Sequence, residues 1–450
     1  MKACKKTTPK AHETTPSWVG ISPSVHKTRG LAMVKAGKHA LKRESKYIMQ
    51  GSPGIIPVFS VSPCGESLGQ VPMSDLSLQL QQAHSQLPVE SYFDQALFER
   101  EMDLLFSKGP RYVGHELSVP EIGDYQTLNH EGEGRVLVRT PKGIELLSNV
   151  CRHRQAIILK DRGNLNAQSL NSGGNIVCPI HRWTYSDQGT LIGAPHFAHD
   201  PCLNLAQYPL QNWNGLLFES SGRDVNLDLA AMGPRGQLDF AGYQLAKVEM
   251  HECNYNWKTF VEVYLEDYHV GPFHPGLGQF VACDDLKWEF KPEFSVQTVG
   301  VAHKLSKSGS AVYDRWQKAL MNFSKGQAPS QGAIWLTYYP HIMVEWYPHV
   351  LTVSTLWPMG PRKTLNKIEF FYPEEIVAFE PEFIAAQQAA YMETCAEDDE
   401  IAERMDAGRL ALMNRGQNEV GPYQSPMEDG MQHFHEWYRG RMAGALQDAG

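Results

Sequence analysis

No stretch of this 450-residue chain approaches the eighteen or more consecutive apolar residues of a membrane-spanning helix, so an integral membrane protein is excluded. Cysteine is scarce: eight residues, irregularly spaced, are too few for a disulfide scaffold and point to a reducing compartment. Positive charge is short as well, with 41 Lys+Arg against 50 Asp+Glu and a net charge of −9. That balance argues against a dedicated nucleic-acid binder, which normally carries a basic face. What is present is ordinary for a folded chain, 42% hydrophobic and 20% charged, and the length calls for two or three domains. The expectation is a soluble, cytoplasmic protein.

The charge is uneven. Residues 1–72 hold eleven Lys+Arg and three acids, a net +8, leaving −17 on the other 378 residues. This leader is rich in Ser, Thr, Pro and Gly and has no sustained periodicity, so it cannot bury enough apolar surface to offset its ordering entropy. A transit peptide fits its lack of acids but not its nine Lys to two Arg. A basic interaction arm has no motif behind it. The favoured reading is translation from Met73, which leaves residues 1–72 outside the fold.

Beyond the leader, Phe93, Leu97, Met102 and Phe106 recur at helical spacing within 73–111 until Lys108-Gly109-Pro110 stops the pattern. From 112 to 221 the texture is short β-like runs (RVLVRT, GIELLSNV, NIVCPI, GLLFES) separated by Gly, Asn and Pro, the rhythm of a small antiparallel domain. From 222 to 450 strands (TVGVAHKL, IWLTYYP, HVLTVSTLWP) mix with helices, including one long helix over 380–413. The class is α+β, with a domain boundary near Ser220-Ser221-Gly222.

Two constellations carry chemistry. Cys151-Arg152-His153 and Cys178-Pro179-Ile180-His181 form a C-x-H-x24-C-x2-H pattern. Each half places a thiolate and an imidazole where a strand turns, so two loop tips brought together make a site with two S and two N donors. Zinc accepts such donors. A Rieske [2Fe–2S] cluster takes both cysteines on one iron and both histidines on the other. The interleaving of Cys and His within each half favours the cluster.

The second constellation lies in NWKTFVEVYLEDYHVGPFHP. Read as a helix over 256–269 broken by Gly271-Pro272, it puts Glu262, Glu266 and His269 on one face, with His274 just beyond the break. Two imidazoles and a carboxylate make the facial triad of non-heme Fe(II) oxygenases. The long helix has a stripe Tyr391, Cys395, Asp398, Ala402, Met405, Arg409, and a carboxylate on such a face is costly unless paired or metal-bound. Asp398 is therefore the expected third ligand, with Asp399 turned about 100° away toward the polar side. His433 and His435 are read as packing of the last helix.

NVCRHRQA and CPIHRWTYSDQGTLIG resemble the two halves of the Rieske box of ring-hydroxylating oxygenase α subunits, the Rieske non-heme iron oxygenases. Two departures are a longer intervening loop and Arg182 where Gly is common. NWKTFVEVYLEDYHVGPFHP and EDDEIAERMDAG resemble the family's mononuclear-iron segments, covering roughly 85–440 with the box. The resemblance implies a small antiparallel β Rieske domain followed by a larger α+β, helix-grip-like catalytic domain. It implies a [2Fe–2S] cluster on Cys151, His153, Cys178 and His181 and a mononuclear Fe(II) on His269, His274 and Asp398. Glu266 matches the acid that couples the centres, reaching the neighbouring subunit's counterpart of His181 in a trimer, with or without β subunits.

The implied activity is O2-dependent hydroxylation of a small organic substrate, with NAD(P)H electrons arriving through a separate reductase or ferredoxin, since the chain has no G-x-G-x-x-G loop. Glu266 and the preceding NWK look more like the branch acting on N-methyl or quaternary ammonium compounds than the branch that dihydroxylates aromatic rings. Trp335, Tyr338, Tyr339, Trp346 and Tyr347 are candidate pocket aromatics for a cation. Competing classes are a Rieske electron carrier, against which the large C-terminal domain speaks, and a silent, zinc-filled homologue.

Overall fold

The computed structural model describes residues 85–167, 173–220, 223–233, 235–302 and 308–447. The leader, the start at Met73 and the boundary residues Ser221-Gly222 lie outside them. Helix α1 (Gln95–Glu101) starts where the Asp94 carboxylate accepts the Leu97 N–H, and it runs into a wide turn over Met102–Ser107 before Lys108-Gly109-Pro110.

The next segment is all strands. These are β1 (Arg111–His115), β2 (Asp124–Thr127), β3 (Arg135–Thr140), β4 (Gly143–Ser148), β5 (Arg162–Asn164), β6 (Ile176–Val177), β7 (Thr184–Tyr185), β8 (Leu191–Gly193), β9 (Gln207–Tyr208), β10 (Leu210–Trp213) and β11 (Leu216–Glu219). They pair antiparallel in three small sheets, β5-β2-β3-β4-β9, β6-β7-β8 and β1-β11-β10.

After α2 (Val225–Leu229) and β12 (Tyr243–Cys253) come α3 (Trp257–Tyr264), α4 (Val270–Phe273) and α5 (Leu277–Phe280). There follow β13 (Val281–Lys291), β14 (Phe294–Val301), α6 (Ala311–Phe323), β15 (Ala333–Tyr338), β16 (Ile342–Tyr347), β17 (Val350–Gly360), β18 (Lys363–Pro373), α7 (Glu374–Phe379), α8 (Pro381–Asn414) and α9 (Asp429–Gln447). The seven long strands form one antiparallel sheet in the order β12-β18-β17-β16-β15-β14-β13.

Strand alternation assigns the two faces of this sheet. Ile334, Leu336, Tyr338, Ile342, Val344, Leu351, Val353 and Phe371 point one way, onto Tyr112, Leu216 and Phe218 of β1 and β11. Ala333, Trp335, Val350, Ile368, Phe370 and Tyr372 point the other way, onto Trp316 of α6 and Phe383 and Ala390 of α8. Each buried Val, Leu, Ile or Phe among them contributes roughly 1.5–3 kcal/mol by leaving water. The sheet is thus covered on both sides, by the small β segment on one and by the long helix on the other.

The helix expected over 256–269 is shorter than its pattern. It ends at Tyr264, with Leu265 closing the last turn through its N–H, and Glu266–Tyr268 follow without helical pairing. Gly271-Pro272 does not break a helix but lies inside the first turn of α4, where proline's missing N–H has no intrahelical partner to lose. Glu262 is consequently remote from the histidines. It is fully buried, held by Arg409, by His435 Nε2 at 2.8 Å and by Tyr92. The NWK run is scaffold: Asn256 caps α3 through the Lys258 N–H, while Trp257 Nε1 (2.8 Å) and Lys258 Nζ (2.6 Å) both donate to buried Glu101. Among the described residues no helix is long and apolar enough to cross a membrane.

Candidate iron–sulfur and mononuclear metal sites

The two cysteine-bearing loops are built alike. Cys151 N–H donates to the Ala156 carbonyl and Gln155 N–H to the Cys151 carbonyl; Cys178 N–H donates to Trp183 and Arg182 N–H to Cys178. Each turn closes through a residue in the left-handed region, Gln155 at φ 55° and Arg182 at φ 61°. That conformation favours glycine; here glutamine and arginine adopt it.

Cys151 and Cys178 are buried, and the His153 and His181 rings lie 4.7 Å apart. Trp183 stacks on His153 at 5.0 Å. The Tyr185 hydroxyl sits 3.5 Å from Cys151 Sγ and accepts the Arg152 N–H, leaving its own hydrogen free for the sulfur. Burial pushes the Cys178 thiol above its ordinary range, with hydrogen bonding to Cys151 adding to the rise. His153 Nδ1 is buried without a hydrogen-bond partner, a costly state that a metal bond would relieve. The two thiols thus adjoin each other and the two imidazoles face each other, and two sulfurs with two ring nitrogens are the donor set of a Rieske cluster.

The second site forms where α4 meets α8. His269 Nε2 and His274 Nε2 are 3.0 Å apart, and Asp398 Oδ1 lies 3.5 and 3.0 Å from them. Separations near 3 Å are what three ligands make when each lies about 2.1 Å from one ion at right angles. The remaining ring nitrogens are fixed from behind, His269 Nδ1 by Glu266 and His274 Nδ1 by Glu397 at 2.7 Å. Burial opposes a charged His269, yet Asp398 and Glu266 outweigh it and raise its pKa to about 10. The same carboxylates stabilise any cation at that point.

A cavity opens beside this triad. Its wall includes Val263, Leu277, Tyr264, Trp316, Trp335 and Tyr347, with the carboxylates Glu266, Asp267, Glu345, Asp398 and Asp399; no lysine or arginine lines it among the described residues. Of the candidate aromatics, Trp335 and Tyr347 face the cavity. Strand alternation turns Tyr338 and Trp346 to the opposite face, and Tyr339 packs toward α9.

The Tyr391, Cys395, Asp398 stripe lines the cavity as its spacing predicts. Asp399, expected on the polar side, is instead drawn inward, because His251 Nε2 (2.8 Å) and the Tyr255 hydroxyl (2.7 Å) meet its carboxylate. His433 and His435 do pack the last helix, against Tyr339 and Glu262. Sequence reasoning missed Glu397, Asp267, His251 and Glu345. Only Glu345 had a signal, as the lone acid in the apolar run IMVEWY.

The chain matches the family models for the Rieske [2Fe-2S] domain over residues 110–209 and the ring hydroxylating alpha subunit catalytic domain over 240–444. It is 66% identical over 369 residues to putrescine 2-hydroxylase of Ralstonia nicotianae, covering 82% of this chain and 99% of the relative. It is 26% identical over 377 residues to the carnitine monooxygenase oxygenase subunit of Escherichia coli K12, covering 78% and 91%. A quaternary ammonium Rieske monooxygenase superposes with a TM-score of 0.65 at 20% identity, over 84% of this chain and 99% of that one. Naphthalene 1,2-dioxygenase from Rhodococcus sp. gives 0.58 at 19%, over 82% and 99%, so the fold is shared across substrate classes. The chain belongs to the Rieske non-heme iron oxygenases, and as an oxygenase component carries a Rieske [2Fe–2S] cluster and a mononuclear iron supplied with electrons by a separate donor.

Proposed function

We propose that this protein hydroxylates a small aliphatic diamine, putrescine, at its second carbon. The observation that carries the reading is the cavity itself, lined by aromatic faces and five carboxylates with no lysine or arginine among the described residues, beside the two-histidine, one-carboxylate triad. Such walls attract ammonium groups and exclude anions. The 66% identical putrescine 2-hydroxylase supports the choice among amines. A neutral aromatic ring would bring these acids no positive charge, and a quaternary ammonium would offer them no N–H donor.

In this reading Cys151, His153, Cys178 and His181 hold the cluster, and His269, His274 and Asp398 hold the iron. When bound, these groups supply O2 activation with electrons received from a reductase or ferredoxin. The chain's own contribution is placement. Glu266 and Glu397 keep the two imidazoles in the tautomer whose Nε2 faces the ion, Val263 and Leu277 exclude water, and the acidic wall orients the amine. His181 sits exposed at its loop tip, open to a second copy of the chain. That arrangement supports a homotrimer in which Glu266 meets the partner's cluster-bearing loop.

The test is turnover by the reconstituted holoenzyme with a reductase and NADH under ¹⁸O2, offered putrescine, carnitine, glycine betaine and naphthalene. Putrescine should be converted to a product one ¹⁸O atom heavier, hydroxylated at carbon 2. Oxidation of a quaternary amine or an aromatic diol in its place would overturn the reading.

A further inference from the structure

We propose that Glu345 is the anchor for one ammonium group of the substrate and so selects the diamine by its chain length. This rests on the diamine reading and goes beyond it by naming the recognising residue. Glu345 lies on β16, 1% exposed, with its carboxylate on the cavity wall. It stands opposite Trp335 on β15 and Thr352 on β17. Its hydrogen bonds come from neutral groups: the Tyr391 hydroxyl donates to Oε1 at 2.7 Å and the Tyr347 hydroxyl to Oε2 at 3.0 Å. The Tyr347 oxygen in turn accepts Trp335 Nε1–H at 2.9 Å, which fixes its direction.

The other acids of the cavity are engaged or adjoin the metal site. Asp398 faces the two imidazoles, Glu266 holds His269, Asp399 holds His251, and Asp267 accepts from Gln297 at 2.6 Å. Glu345 is the buried acid on the sheet, bonded to no residue of the triad, and no lysine or arginine lines the cavity among the described residues. Burial pushes its pKa up to about 7, against the pull of Tyr391, Tyr347 and Thr352. A buried carboxylate in that state is stabilised by a cation entering from the cavity. Tyr264, Trp316 and Trp335 line the same space and offer ring faces to an ammonium.

The position also suits the chemistry. Tyr391, which holds Glu345, lies seven residues before Asp398 on α8, hence two turns or about 10 Å along the same helix face. A four-carbon diamine spans about 6 Å between its nitrogens. With one nitrogen at Glu345, the chain reaches toward the triad and presents an internal carbon to it.

A purely structural role, tying β16 to α8 through Tyr391, would be served equally by glutamine. Holoenzyme carrying E345Q should therefore keep its iron content and its Rieske EPR signal while the Kd for putrescine rises at least tenfold. E345D keeps the charge but withdraws it by one methylene, and should shift the ratio of kcat/KM for the five-carbon over the four-carbon diamine upward at least tenfold. A Kd change below tenfold in metal-replete E345Q, or an unmoved chain-length ratio in E345D, overturns the assignment while leaving the diamine reading intact. Wild-type enzyme that hydroxylates no diamine overturns both.

Discussion

At the scale of single residues, chemistry is set by what stands behind each candidate ligand. His269 and His274 each spend one nitrogen on a carboxylate so that the other can face an ion, and Asp398 completes the triangle. Asp398→Ala should leave two irons and two sulfides per chain in place of three and two. The Rieske EPR signal should persist and hydroxylation should fall at least 10²-fold, as metal analysis and turnover will show. Retention of the third iron would remove Asp398 from the ligand set. This residue was legible because a carboxylate on a helical stripe of Tyr, Cys, Ala and Met needs a partner. Its neighbour Asp399 was misjudged because helical phase alone cannot foresee His251 and Tyr255 arriving from β12 and the loop after it.

At the scale of elements, short helices hold the histidines and larger elements hold the short helices. Gly276, two residues beyond His274, lies against the Tyr313 ring of α6, where an added Cβ would sit 2.1 Å from a ring carbon. Tyr313 cannot yield easily, since its hydroxyl is bonded to Thr394 of α8 at 2.7 Å and its ring packs on Trp316. Gly276→Ala should cost about 1–3 kcal/mol by overpacking and weaken iron retention at the triad. Urea midpoints and iron stoichiometry measure both; an unchanged midpoint would mean that α6 moves aside freely. The apolar pattern of α3 overran its end here because Leu265 is buried in a turn as thoroughly as it would be in a helix.

At the scale of the whole molecule, strands β1 and β11 are shared between the small β segment and the core beneath the large sheet. Tyr112 donates to Glu369 at 2.8 Å, and His115 lies between Phe240 and Phe371, with ring centroids 4.4 and 4.8 Å away. Burial lowers the pKa of His115 to about 3; the Asn214 backbone opposes the shift and the Lys367 charge adds to it. The unfolded chain binds a proton near pH 6.5 that the folded chain refuses, so stability is full above 6.5 and falls as pH drops toward 3. Between pH 6.5 and 5 this one residue should account for about 2 kcal/mol. Urea unfolding across that range should show a shallower pH slope for His115→Leu than for wild type. Identical slopes would show that His115 titrates normally.

The two loops that pair a cysteine with a histidine were readable in the sequence by itself because each pairing is local. A thiolate and an imidazole two or three residues apart at a strand end need only one tight turn to point together. The same holds for His269 and His274, for the long helix and for the short β-like runs that make strands of β3, β15 and β17. Only the tertiary structure decided how the remaining groups meet. The place of Glu345 on a cavity wall was hidden, although the residue stands out as the lone acid of its run, because β16 is covered on both faces and the cavity is assembled from β16, α3, α6 and α8. Glu266 and Glu262, one helical turn apart in the sequence, serve different sites because α3 ends between them, a choice made by the packing of Leu265 and Arg409 rather than by local preference.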